Sequence, residues 1–189
     1  MTGVIAIVVV VIVLLIVVGS LAGTYNKLVT LNEGVDGQWA QVETVYQRRL
    51  DLIPNLVNAT KGFLKQEQGI YDKITQARAQ YAGSSGNPAA QVEAANALES
   101  ALSRLLVIVE SNPEIKSNQT VSDLMVELAG TENRISVERR RFNETVQTYN
   151  IKVKRFPTNL LAGMFGFEDR SFFEASEGAE IAPTVDLEL

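Results

Sequence analysis

Residues 3–23, GVIAIVVVVIVLLIVVGSLAG, contain no charged side chain, and from Val4 to Val18 every side chain is apolar. Such a stretch has no polar face to turn toward water, so neither an amphipathic helix nor an alternating strand accommodates it. As an α-helix rising about 1.5 Å per residue it spans roughly 30 Å, the thickness of a hydrocarbon core. The expectation is a transmembrane anchor over residues 1–23. A secretory signal peptide competes, because Ser20-Leu21-Ala22 resembles a small-x-small cleavage site. Met1-Thr2-Gly3 lacks the Lys or Arg of a signal n-region, which favours a retained anchor. With no basic residue before the span and Lys27 just after it, the positive-inside rule places the N-terminus outside and the body in the cytoplasm. Gly19 and Gly23 form a GxxxG pair at the end of the span, where helix loosening is the plainer reading.

Beyond Lys27 apolar residues recur at helical spacing. Leu28, Val35, Val42 and Leu56 fall in one heptad series that Arg49 interrupts, with Leu31, Trp39, Tyr46 and Ile53 beside it. Pro54 lacks an amide donor, so a reversal is expected at Leu52–Asn55; the alternative is a kinked rod continuing through it. A second stripe holds Leu56, Phe63, Ile70 and Ala77, supported by Val57, Leu64, Tyr71 and Ile74, and it ends in the turn-rich AGSSGNP at 82–88. Pro88 opens a third helix carrying Ala95, Leu98, Leu102, Leu105 and Val109, which Pro113 closes. A fourth runs from about Thr120 to Phe156 with Val121, Leu128, Ile135, Phe142, Tyr149 and Phe156 seven apart. No segment alternates with period two. The fold class is therefore all-α: an N-terminal transmembrane helix, then an up-down-up-down antiparallel four-helix bundle over residues 24–156 whose fourth helix is the longest. A hydrophobic aromatic and Gly-rich segment follows at 157–173, and an irregular acidic tail at 174–189.

Composition narrows the chemistry. The chain has neither His nor Cys, which removes disulfides, thiolate or imidazole metal sites and Ser-His-Asp or Cys-His catalysis. A ferritin-like di-metal site, which needs Glu-x-x-His ligands, cannot be assembled either. No catalytic residue, cofactor or metal ligand is expected, and the protein reads as a non-enzyme. Of the net charge of −5, residues 168–189 contribute −6, leaving a balanced body that is a poor match for nucleic acid. Arg139, Arg140 and Arg141 do not change this. Three successive helical residues fan over roughly 200° and cannot clamp one phosphate, so they read as a solvated helix flank with interhelical ion pairs.

Arg49 is more pointed, because it stands at a core position and a buried charge needs a partner. With the first and fourth helices antiparallel, Asp123 or Glu127 is nearest in height, and Glu132 is reached if the fourth helix overhangs. The expected structural ion pair draws on Arg49, Asp123, Glu127 and Glu132.

Taken together, the run YNKLVTL at 25–31, RRLDLIPNLV at 48–57, TENRI at 131–135, RRRFN at 139–143 and FPTNLLAGMFGF at 156–167 resemble the LemA family. The resemblance covers nearly everything after the anchor. It implies a bacterial single-pass inner-membrane protein with a helical-bundle body, and it carries over no catalytic residue. Asn112 departs from the aromatic residue expected before Pro113, which bears only on that local turn.

Lys152, Lys154 and Arg155 precede the apolar residues Leu160, Leu161, Met164, Phe165, Phe167, Phe172 and Phe173. Aromatic and aliphatic side chains beside cations suit membrane lipid, a neighbouring subunit or the base of the bundle, and the sequence leaves the three open. Alternation of Ile181, Val185, Leu187 and Leu189 in the tail suits a contact between copies, so a homo-oligomer is expected. Other protein partners stay unspecified. The functional expectation is a scaffold that self-associates or recruits partners at the membrane, with membrane organisation as the role it suits; the alternative is a small-ligand receptor or enzyme with a site in the bundle core.

Overall fold

The computed structural model describes residues 2–62 and 68–173. Phe63, Leu64 and the tail at 174–189 lie outside the described residues. Every regular element among those described is helical: α1 Thr2–Thr60, α2 Gln68–Gly83, α3 Pro88–Ser111, α4 Pro113–Lys116, α5 Gln119–Lys154 and α6 Thr158–Phe165. The all-α class read from the periodicity is the class of the fold.

Helix α1 begins with the apolar stretch and continues without a break into the packed part of the chain. Fourteen Val, Ile and Leu side chains between Val4 and Val18 are each 47–67% exposed, although full burial of one such side chain is worth about 1.5–3 kcal/mol. Left in water, the set would forgo tens of kcal/mol against a usual net stability of about 5–15 kcal/mol. The stretch is long and apolar enough to cross a membrane. At Leu28 the burial pattern changes: Leu28, Val35 and Val42 are almost wholly covered, at the spacing of the heptad.

The reversal expected at Pro54 does not occur. Helix α1 runs through Pro54 to Thr60, where the Thr60 hydroxyl donates to the Leu56 carbonyl at 2.8 Å and Lys61 N–H bonds Val57 at 2.9 Å. Proline removes one intrahelical hydrogen bond, about 3 kcal/mol in a helix interior, and packing can outweigh that. Leu50, Leu52, Ile53 and Leu56, flanking the proline, are all buried. A bend here would uncover them.

The described residues form two compact units, 2–42 with 137–172 and 43–136 with 173, so α1 and α5 contribute to both. In the first unit α5 runs antiparallel to α1. Gln38 donates to Glu138 at 2.8 Å, Trp39 meets Phe142 edge-on with ring centroids 5.1 Å apart, and Gly34 faces Thr145. Phe142, Val146, Tyr149 and Val153 complete its core together with Ala162 of α6. Phe156, expected to extend the α5 stripe, is 75% exposed, because α5 ends at Lys154 and Pro157 turns the chain into α6.

In the second unit Tyr46 packs on Tyr81 at 5.3 Å. The two stand at similar distances from the end of α1 and the start of α2, so these helices are antiparallel. Helix α3 runs parallel to α1: Gln91 donates to Glu43 at 2.7 Å, and Tyr46 donates to Glu99 at 3.3 Å. Asn87 starts α3 as its N-cap, accepting from Ala90 N–H at 3.2 Å, with Pro88 in the first turn. Gly86, at φ 83°, supplies the left-handed residue of the preceding turn. Ala95, Leu98, Leu102, Leu105 and Val109 are all buried, as are Val121, Leu128 and Ile135 of α5. The linker between α3 and α5 holds one unforeseen turn, α4, opened by Pro113 with Ile115 buried beneath it.

Candidate functional site

Two clusters contain the candidate residues, one in each unit. In the 43–136 unit Arg49 is 5% exposed on α1, and its guanidinium bonds the Glu132 carboxylate while Nη1 stands 3.6 Å from Glu99. Glu127 instead pairs with Arg48, and Asp123 accepts from Gln119 on its own helix at 2.7 Å. The register thus brings Glu132 to Arg49, and neither Asp123 nor Glu127. Its cause is the end of α1: stopping at Thr60 instead of Pro54 adds six residues, about 9 Å, and moves the level facing Arg49 along α5 by a similar amount. Glu99 came from a helix that height matching between the first and fourth helices did not include. The arginine triplet is spread as a fan: Arg139 is half-buried, Arg140 and Arg141 are exposed, and Arg141 bonds Glu138 at 2.8 Å.

In the 2–42 and 137–172 unit the chain after α5 folds back on α1. Helix α6 buries Thr158 and Ala162, one turn apart, and turns Leu160 and Met164 outward at 60% and 76% exposure. Large apolar groups thus face outward, with Asn159 exposed nearby, which is unusual for a helix bathed in water. Gly166, at φ 74°, closes it, and Phe167 N–H returns to the Ala162 carbonyl at 2.9 Å. Phe165 at the end of α6 and Phe167 just past the turn both meet Tyr25, with ring centroids 4.9 and 5.8 Å away, both edge-on.

Residues 168–170 are then fastened mainly through their backbone. The Tyr149 hydroxyl donates to the Glu168 carbonyl at 2.8 Å; the Asn150 amide donates to the Arg170 carbonyl at 2.8 Å and accepts Arg170 N–H at 2.9 Å. The Arg170 side chain reaches α1, donating to Asn32 at 3.0 Å and to both oxygens of Asp36 at 3.1 Å. Lys154 bonds Asp169 at 2.9 Å and holds that carboxyl below its ordinary value. Burial pushes the Tyr149 phenol above its ordinary value, although Arg170 pulls the other way. This strap was not foreseen. Its one signal was Arg170 itself, the lone cation among the acids of 168–189.

Of the other candidates, Lys152, Leu161 and Phe167 are half-buried, Arg155 and Phe165 are exposed, Phe172 is 46% exposed and Phe173 is buried. An open groove beside the strap is lined by Gln147, Asn150, Ile151, Lys154, Arg155 and Phe172. A second open groove, in the other unit, is of mixed character, with Lys73, Gln76, Gln80, Ser100 and Arg104 of α2 and α3 around Ala77, Ala97 and Ala101. Among the described residues no three carboxylates gather closely enough to hold a metal ion.

The sequence model of the LemA family matches residues 38–187. Magnetosome protein MamQ 2 of Paramagnetospirillum magneticum is 27% identical, over 91% of this chain and 74% of the relative. Magnetosome protein MamQ of Magnetospirillum gryphiswaldense matches at the same identity and coverage, and Protein LemA of Metamycoplasma hominis is 22% identical over 82% of this chain and 71% of the relative. None of these names specifies a reaction. Together with the apolar start of α1 they support a membrane-associated protein.

Proposed function

The chain belongs to the LemA family, and from its architecture we propose that it is a single-pass helical scaffold that self-associates or recruits partner proteins at the bacterial inner membrane. The observation that carries this reading is α1: fourteen apolar side chains with nothing packed on them lead, on one helix, into the buried series Leu28, Val35 and Val42. An anchor continuous with a packed helix holds the first unit beside the bilayer. Lys27, immediately past the span, favours a cytoplasmic body and an outside N-terminus. Relatives named as magnetosome proteins extend the reading toward membrane organisation.

Helical bundles that bind ligands in their cores do so through inward polar groups. Here most inward positions of the 43–136 unit are taken by residues such as Leu98, Leu102, Leu105, Val121, Leu128 and Ile135, and the buried charge of Arg49 is met by Glu99 and Glu132. A small-ligand receptor or enzyme is the second reading, and the observation in its favour is the open groove of α2 and α3, whose lining includes Lys73 and Arg104.

Light scattering of the full-length protein purified in detergent, with and without residues 174–189, tests the scaffold. A defined oligomer that loses subunits when the tail is removed is the expected result. A monodisperse monomer in both cases would reject self-association.

A further inference from the structure

We infer that α6 is a second membrane contact, an interfacial helix that lies at the bilayer–water boundary beside the anchor and favours anionic lipid. The inference rests on reading α1 as the anchor and goes beyond it by assigning a lipid surface to a different segment. Height is the first argument. The charge-free stretch ends at Gly23, and Tyr25 follows after about 3 Å of helix, so Tyr25 stands at the edge of the hydrocarbon. Phe165 and Phe167 are packed against that same ring, which fixes the end of α6 at the same level. Tyr25 at that depth fits the Tyr and Trp belt of membrane proteins, and Phe165 and Phe167 beside it suit the apolar side of an interfacial helix.

Surface chemistry is the second argument. Leu160 and Met164 of α6, with Phe156 just before it, are 60–76% exposed, while the opposite side of the helix is seated through Thr158 and Ala162. Lys152, Lys154 and Arg155 lie immediately before this apolar face in the chain. The adjoining groove sets Arg155, and Lys154 already paired with Asp169, next to Ile151 and Phe172, basic groups beside exposed apolar ones. An anionic headgroup with its acyl chain offers the complementary pair. A second copy of the chain would also cover apolar side chains, but it would not explain why they sit at the height of the span's end.

The chain has no cysteine, so single labels report cleanly. Nitroxide labels at Met164→Cys, Val10→Cys and Val126→Cys in the full-length protein, reconstituted in lipid nanodiscs, would be compared for accessibility to oxygen and to a water-soluble nickel chelate. Val126 is 71% exposed on α5 and serves as the water-facing reference. The expected result is chelate exclusion at positions 10 and 164 but not at 126, with access at 164 falling further when phosphatidylglycerol is added to phosphatidylcholine. Exclusion at 10 with free chelate access at 164 would overturn the interfacial helix and leave the anchor standing. Free access at 10 would overturn both. Shielding at 164 accompanied by dipolar broadening that unlabelled protein dilutes away would assign the face to a second copy, against the proposal. Equal access at 164 in the two lipid mixtures would remove the preference for anionic lipid.

Discussion

Arg49 is 5% exposed and is met by carboxylates from two other helices, whereas the Arg170 side chain is 38% exposed and lies on a strap held chiefly by backbone hydrogen bonds from Tyr149 and Asn150. The first charge is an obligation placed inside a core, and its neighbours must neutralise it. The second is a handle at the surface, steering an irregular segment onto α1 through Asn32 and Asp36. Burial separates the two cases. A charge inside the bundle constrains which helices can be neighbours, while a charge on the strap selects one position among several that the backbone could occupy.

The largest expected effect comes from stripping the buried arginine of its acids. Arg49 is far more covered than Glu99 or Glu132, whose side chains are 21% and 42% exposed, so losing the acids should be worse than losing the base. Glu99→Gln combined with Glu132→Gln is expected to destabilise by about 3–5 kcal/mol, and Arg49→Met by much less, because methionine fills the space and leaves two carboxylates that reach water. Thermal unfolding followed by circular dichroism ranks the variants; the reverse order would mean that Arg49 is not the obligatory partner. Exchanging the charges, Arg49→Glu with Glu132→Arg, should recover part of what Arg49→Glu alone loses.

Next in size is Asn150→Ala, which removes both hydrogen bonds to the Arg170 backbone and is expected to cost about 1–3 kcal/mol. Hydrogen exchange resolves where the loss falls: the Arg170 amide should exchange faster, while amides around Leu102 should keep their protection. Loss of protection at both would show that the strap supports the 43–136 unit as well, and the contrast between the two arginines would fail.

The smallest effect belongs to the exposed Lys154–Asp169 pair. Because the Asp169 carboxyl is held below its ordinary value of 3.8, its contribution is present above that value and is lost as the pH falls through the depressed one. NMR titration of the Asp169 carboxyl carbon should move back to the ordinary midpoint in Lys154→Met, with little change in unfolding temperature near neutral pH. A midpoint unaffected by removal of Lys154 would mean that the strap is not fastened at that point.

Much of the scaffold was legible because it is periodic. Leu28, Leu98, Leu102 and Ile135 follow helical spacing and are buried, while Leu31, Trp39, Val57, Ile70 and Tyr71, marked by the same spacing, are half-buried. The arginine triplet was legible for the same reason, since 100° per residue disperses adjacent side chains whatever surrounds them. Pro54 was misread because a local rule about a missing amide was weighed without the packing of Leu50, Leu52, Ile53 and Leu56 around it. The wrong helix end then carried through to the acids assigned to Arg49. Phe156 failed where the helix stopped, because a heptad has meaning only while the helix continues.

By itself the sequence determined the elements whose cause is local: an uncharged apolar stretch with no face for water, helices that repeat every seven residues, and turns marked by Gly, Asn and Pro. Tertiary structure alone decided which acids meet Arg49, how residues 166–170 lie along α1, and which side of α6 remains uncovered. Those outcomes depend on contacts between residues as much as 138 positions apart, such as Arg170 with Asn32, where a difference of one helical turn changes every partner. Periodicity records which face of a helix is buried. It carries no information about what that face will find there.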